Sequence, residues 1–426
     1  MSDGFVLRGD ICFSVSKDEV KTIEDGYLVC EDGVCRGAYR DLPGAYSRLP
    51  LEDHRGAMIL PGLVDMHVHA PQYAYWGLGM DRELIDWLSH HAFPEEEKYR
   101  DTAYAEKAYR AFTEDVRRGP NTRALVYATC HVPATLLLMD MLEGSGLATC
   151  VGKVNMDRHS PPGLQEEGAE ASLRDTEEWL RVIREEKSYT NTAPILTPRF
   201  IPSCSDSLMR GLGEIRRKYG LPIQSHMSEN QDEVAWVKEL CPGTASYAEA
   251  YQTLGTFDGE KPAVMAHCIW VDAQEISRMK EQGVSVAHCP QSNMNLSSGL
   301  APIRRFLDEG VAVGLGSDVA GGSQTSIFRA MSDAIQASKM YWRLADPSCA
   351  PLSLEEAFYL GTLGGGAFWG KAGSFLEGYE FDALVMDDSA NVEANPLTIG
   401  ERLARVVYRP DRCKMLKKYV RGKRIL

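Results

Sequence analysis

The sequence predicts an α/β fold, a closed (β/α)8 TIM barrel with a small β domain formed from both chain ends. Three observations carry that expectation. After about residue 57, eight short and nearly continuous apolar runs alternate with longer stretches, as in repeated βα units around a parallel sheet. Those longer stretches, such as SDSLMRGLGEIRRKYG and DAQEISRMKEQG, repeat apolar residues at three and four with charges opposite and a glycine at the end. The two ends of the chain lack this rhythm.

Residues 1–57 are expected to give the first part of the β domain, with short strands and turns around GYLVCEDGVCRG. The barrel is expected over 58–374. Its strands are AMILPGLVDMHVH, ALVYATCH, ATCVGKVNMD, APILTPRFI, LPIQSHMSE, PAVMAHCIW, VSVAHCP and VAVGLGSDV. Residues 375–426 return to short strands in FDALVMDD, VVYR and KKYVRGKRIL, so both ends should meet beside the barrel. A barrel of about 250 residues plus a smaller unit fits a chain of 426.

Composition narrows the function. Hydrophobic residues make up 44% and charged residues 25%, as in a chain that buries a large core. The balance of 46 Lys plus Arg against 60 Asp plus Glu gives −14, which repels nucleic acid and anionic membrane and leaves a small molecule as the expected partner. MSDGFVLRGD has no leader pattern, no apolar run reaches the ~18 residues of a span, and the 11 dispersed cysteines include no C-x-x-C pair. A cytoplasmic protein is expected.

In a (β/α)8 barrel the reactive residues stand at the C-terminal strand ends. His67, His69, His131, Arg199, His226, Glu229, His267, His288 and Asp318 all lie at or just beyond predicted ends. In MHVHAPQ, His67 and His69 are two apart and share a strand face. Alone, such a pair is a weak mark of a metal. SHMSEN, MAHC and GLGSDVAGG supply further imidazoles and a carboxylate, a donor set suited to zinc with an open position for hydrolysis. Each piece has a bland alternative: His226 or His267 as a satisfied core histidine, Asp318 as a helix cap, Glu229 as a first-turn glutamate, Arg199 in a surface salt bridge.

The run HAPQYAYWGLG, DWL, FPEEE, VGKVNMD, TPRF, HMSENQDEV, AHCPQSNMNLSSG and GLGSDVAGG, from about residue 58 to 370, resembles the mononuclear deaminase branch of the amidohydrolase superfamily and, within it, the guanine deaminase family. The resemblance implies a barrel of the amidohydrolase type holding one Zn2+ per subunit on His67, His69, His226 and Asp318. It implies hydrolytic deamination of guanine to xanthine and ammonia by hydroxide attack at C2. Glu229 would shuttle protons, Asp318 would take the proton of the attacking water, and His267 would orient that water and stabilise the tetrahedral centre. Gln72, Arg199 and Phe200 would hold the purine, with Glu229 and His267 also touching it. By analogy the enzyme would be a homodimer.

The chemistry supports these roles independently. A metal lowers the pKa of bound water from 15.7 toward about 7. Attack dearomatises the ring, so one mobile carboxyl near ring nitrogen and leaving amine can serve as acid and base in turn. A guanidinium matches the O6 and N7 edge of guanine and not the amine-bearing edge of adenine.

Further expectations concern four features. Lys153 invites comparison with the carboxylated lysine of binuclear relatives and is read as structural, and His288 is expected to orient the groups around the metal. The loop HSPPGLQEEG (159–168) is expected to border the pocket, and in GPNTRALVY Pro120 and Arg123 break the glycine and threonine run that many members of the resembled family carry before the second strand. The enzymatic rival is an aminohydrolase of 8-oxoguanine, a pterin or an s-triazine. The rival of another class is a non-catalytic scaffold, against which every ligand and Glu229 stand. The cytidine-deaminase-like zinc fold needs H-x-E and P-C-x-x-C, and neither string occurs.

Overall fold

The computed structural model describes residues 4–257, 259–391 and 394–426. Strands β1 (Gly4–Ser14), β2 (Val20–Glu31), β3 (Val34–Tyr39) and β4 (Leu51–Pro61) come first, β1 pairing antiparallel with β2 and parallel with β4. The run AMILPGLVDMHVH, expected as one strand, is two. Its first part ends β4 and its second is β5 (Leu63–His69), the first stave of the barrel. Gly62 is the joint between them, because a Cβ there would lie 2.2 Å from the side chain of Thr122.

The barrel continues through β6 (Asn121–Tyr127), β7 (Ala148–Gly152), β8 (Val154–Asn155), β9 (Thr192–Pro194), β10 (Thr197–Pro198), β11 (Ile223–Met227), β12 (Ala263–His267), β13 (Val284–His288) and β14 (Val313–Leu315). Parallel ladders run β5-β6-β7-β9 and β11-β12-β13-β14; β8 pairs with β10, and Leu196 bridges to Ile223. With β7/β8 and β9/β10 each counted as one interrupted stave, eight stand where eight apolar runs are read. Past the end of β14 the ring closes on β5, where Asp318 N donates to His67 O at 2.8 Å and His69 N to Val319 O at 3.3 Å.

The lower interior is filled by Val64, Met66, Leu125, Cys150, Ile195, Val264, Ala266 and Ala287. Val64 and Met66 share one parity in β5 and His67 and His69 the other, so a regular strand could not point all four inward. A register shift between Asp65 and Val68 resolves this: Met66 and His67 together stand opposite Leu125 alone. The bulge re-aims the strand, core below and imidazoles above.

At the C-terminal end, β15 (Ala383–Asp387), β16 (Lys414–Val420) and β17 (Lys423–Arg424) complete a seven-stranded sheet in the order β17-β16-β15-β4-β1-β2-β3. VVYR, read as a strand, instead closes the helix Ile399–Tyr408. Thr398 and Glu401 cap its start reciprocally, and Leu403, Val406 and Val407 are its buried residues. Arg123, which seemed only to break the second run, ties barrel to sheet: fully buried in β6, it donates from Nε to Asp382 at 2.6 Å and from Nη2 to Glu380 at 2.6 Å. Among the described residues no helix is long and apolar enough to cross a membrane.

Candidate active site

Four strand ends deliver the polar side chains. β5 brings His67 and His69 out of its bulge, and β11 brings His226. Directly after β11 the chain turns through Ser228 at φ 52° into the helix Gln231–Leu240. A capping box formed by Asn230 and Glu233 makes that turn, and Glu233 also accepts the Glu229 N–H at 2.8 Å, fixing Glu229 at the mouth. β12 ends in His267 at φ 72°, and Asp318 follows β14 at φ 45°. Left-handed backbone at non-glycine residues costs roughly 1–3 kcal/mol each and marks positions held for their side chains.

The imidazoles and the carboxylate converge. His69 Nε2 lies 3.1 Å from His226 Nε2, and Asp318 Oδ1 lies 3.1 Å from His67 Nε2 and 3.7 Å from His69 Nε2. His226 Nδ1 is 2.6 Å from the carbonyl oxygen of Arg199, which can only accept, so Nδ1 carries the hydrogen and Nε2 the lone pair. His67 Nε2 is buried without a hydrogen-bond partner. Donors bound at about 2.0–2.2 Å to one tetrahedral ion stand about 3.3 Å apart, which these separations match. The donor set therefore fits a divalent metal. Burial holds the His67, His69 and His226 imidazoles below their usual range, favouring the neutral ligand form. Burial pushes Asp318 up, but the imidazoles of His67, His267 and His69 outweigh it and keep the carboxylate ionised.

Beside this cluster, His267 Nε2 is 3.5 Å from Glu229 Oε2 and 3.8 Å from Asp318 Oδ2. Burial, then the charges of Asp318 and Glu233, raise the Glu229 carboxyl well above the ordinary carboxylate range. A cavity opens here, lined by His69, His226, Glu229, His267 and Asp318 and by Gln72, Arg199, Phe200, Leu84, Trp87 and Leu88. Eight of the nine side chains singled out for metal, proton transfer and purine thus line one cavity, and the ninth, His67, belongs to the same donor cluster without lining the cavity.

Of three other expectations, one agrees with the structure and two fail. Lys153 is buried and paired with Glu166 and does not line the cavity, which agrees with a structural part. The 159–168 loop does not border this cavity. Gly163 to Glu167 line a separate hollow with Arg100, Cys130 and His131, because Glu166 is pulled in by Lys153, Ser172 and the Met156 N–H. His288 is buried with neither ring nitrogen bonded. The orienting contact to His267 comes instead from Asn293 of the same AHCPQSN motif, whose Oδ1 lies 2.8 Å from Nδ1.

Three more residues went unread. Asp65 accepts from Ser317 N at 3.0 Å, Ser317 Oγ at 2.6 Å and His67 N at 3.2 Å, strapping β5 to the turn that carries Asp318. Its alternation with the histidines in D-x-H-x-H was the available sign. Cys289, grouped with inert apolar cysteines, has its sulfur within 4.8 Å of the donor atoms of His67, His267 and Asp318. Glu96, hidden among three successive glutamates, bonds both Gln72 and Arg199.

Comparison with known proteins agrees with this architecture. Residues 58–425 match the amidohydrolase family. The guanine deaminase of Dictyostelium discoideum is 33% identical over 447 aligned residues, covering 99% of this chain and 98% of that protein. The crystal structure of guanine deaminase from C. acetobutylicum, with guanine bound in its active site, is 42% identical, with a TM-score of 0.95 over 100% of both chains. An atrazine chlorohydrolase from Arthrobacter aurescens, complexed with zinc and atraton, shares the fold alone: 18% identity and a TM-score of 0.83 over 99% of this chain and 94% of that one. A buried His/Asp donor cluster at the C-terminal mouth of such a barrel defines a hydrolase, and the chain belongs to the amidohydrolase family. Within that family it stands among the guanine deaminases.

Proposed function

We propose that this chain is a zinc-dependent guanine deaminase that converts guanine and water to xanthine and ammonia. The observation that carries the reading is one cavity lined by His69, His226 and Asp318, by Glu229 and His267, and by Gln72, Arg199 and Phe200. His67, His69, His226 and Asp318 would hold one Zn2+ per subunit, which when bound acidifies a water and offsets charge developing on its oxygen.

Asp318 accepts a proton as the water oxygen closes on C2. Glu229 takes the other proton of the water and gives it to N3, so the ring can lose aromaticity without building up negative charge. The proton held by Asp318 then passes to Glu229 and from it to the amino group; the C2–N bond breaks and ammonia leaves. The two protons of the water end one on N3 and one on the departing nitrogen. His267, its Nδ1 engaged by Asn293, turns Nε2 toward Glu229 and Asp318 and orients the water. Arg199 uses two of its five N–H groups on Glu96 and keeps others for the O6 and N7 edge, with Phe200 and Gln72 bounding the ring.

A homodimer belongs to the same reading and is checked by light scattering; a cytoplasmic setting is consistent with eleven cysteines that form no disulfide. The function itself is tested by offering the metal-loaded protein guanine, 8-oxoguanine, a pterin and an s-triazine and measuring ammonia. Guanine is expected to be the preferred substrate and to give xanthine. Ammonia from one of the rivals with none from guanine overturns the reading.

A further inference from the structure

Glu96 lies at the end of the helix Phe93–Glu96, in the excursion between β5 and the long helix Thr102–Arg118, and is 2% exposed. Its two oxygens take three donors. Arg199 Nη1 meets Oε2, Arg199 Nη2 meets Oε1 at 3.1 Å, and Gln72 Nε2 meets Oε1 at 2.9 Å. The remaining freedom of both partners is removed from other sides. Gln72 Oε1 accepts the Ala320 N–H at 3.3 Å, and the guanidinium carbon sits 5.0 Å from the centroid of the Phe93 ring. The two polar side chains of the purine wall are thus held by one buried carboxylate.

This arrangement has an electrostatic consequence as well as a steric one. A guanidinium in a dry cavity attracts anions strongly when it has no counterion, and far less when a carboxylate sits bidentate against it. Guanine is neutral near pH 7. Xanthine carries an imide N–H between two carbonyls and is the more acidic of the two, so product, not substrate, enters the anionic form as pH rises. An uncompensated Arg199 would hold that anion in the site.

Resting on the guanine reading above, the geometry points to Glu96 as a positioning residue with two effects: it fixes Arg199 and Gln72 for the neutral carbonyl edge, and it cancels the arginine's charge so that anionic product is released. Other titratable groups near Arg199 are Tyr75 and Cys130, with His69, His226, Glu229 and Asp318 across the cavity; among the described residues Glu96 is the carboxylate hydrogen-bonded to the guanidinium.

The test uses metal-loaded wild type, Glu96→Gln, Glu96→Asp and the double variant Glu96→Gln/Arg199→Gln at mildly alkaline pH. It reads kcat and KM for guanine and the inhibition constants of xanthine and of hypoxanthine, which keeps the O6 and N7 edge but is less acidic. Glu96→Gln is expected to raise KM more than it lowers kcat, and to shift the preference for xanthine over hypoxanthine by about tenfold or more. Glu96→Asp, which keeps the charge, restores the wild-type preference. The double variant, with neither charge, also shows the wild-type preference and serves if the unpaired arginine costs the single variant its fold. A xanthine to hypoxanthine ratio unchanged in Glu96→Gln, or shifted equally in Glu96→Asp or in the double variant, overturns the proposal. Wild-type turnover of guanine tests the substrate separately, because the inhibitor ratio does not depend on it.

Discussion

His69 Nε2 and His226 Nε2 face each other at 3.1 Å, with the Nδ1 hydrogen of His226 committed to the carbonyl of Arg199. His226 Nε2 therefore offers a lone pair, and a cation between the two nitrogens would take both rings as ligands. Metal removal is therefore expected to abolish deamination and to lower stability together. At a free metal concentration of 100 times Kd the linked stabilisation is about 2.7 kcal/mol. Melting curves with and without chelator, followed by re-addition of zinc, check both effects, and His226→Ala should retain no metal by elemental analysis.

Glu229 contributes no donor to the His/Asp cluster, and its own backbone N–H is fixed by Glu233. Glu229→Gln keeps the size and the turn but cannot carry a proton. Metal content is expected to stay at the wild-type value while kcat falls about 10²–10⁴-fold. Steady-state kinetics on protein of measured zinc content separates this outcome from loss of the site.

The site was largely legible because barrel chemistry concentrates at strand ends, where a period of two and the apolar run locate a residue without long-range information. His67, His69, His226, His267 and Asp318 could be read in this way. Arg123 could not, since its meaning depends on Asp382, 259 positions away, just before a strand that pairs with β4. Nor could Glu96 be picked from FPEEE, where neighbours differ only in which one the fold turns inward. The split of AMILPGLVDMHVH at Gly62 escaped for a related reason: apolar continuity is the same whether a strand stays in one sheet or passes between two. VVYR was misread because four apolar-rich residues fit either period, and the cap that decides it lies at Thr398.

Asp65 supports the donors from behind, accepting from Ser317 N, Ser317 Oγ and His67 N. In Asp65→Asn one acceptor becomes an N–H turned toward donors. The variant is expected to lose about 1–3 kcal/mol of stability, and to bind zinc about 10–100-fold more weakly because His67 and Asp318 lose their common strap. Urea unfolding of the chelated protein gives the first quantity, and competition against a chromophoric chelator gives the second.

Lys418 offers a prediction away from the metal. Its Nζ, fully buried, donates to Val116 O at 3.2 Å, Arg117 O at 3.1 Å and Gly119 O at 2.8 Å, joining β16 to the end of the helix Thr102–Arg118. Burial, with the nearby charge of Arg117, pulls the ammonium down to about 7. In the unfolded chain the same lysine titrates near about 10.4. Between these values the unfolded state binds the extra proton, so the contribution of Lys418 to stability rises with pH across the window and is lowest below about 7. The slope is at most about 1.36 kcal/mol per pH unit. Unfolding free energies of wild type and Lys418→Met, measured at about pH 7 and about pH 9, isolate it. The difference, wild type minus variant, is expected to be larger at the higher pH. A flat difference would mean that the three carbonyls keep the ammonium charged throughout, with the helix end acting as its counter-dipole.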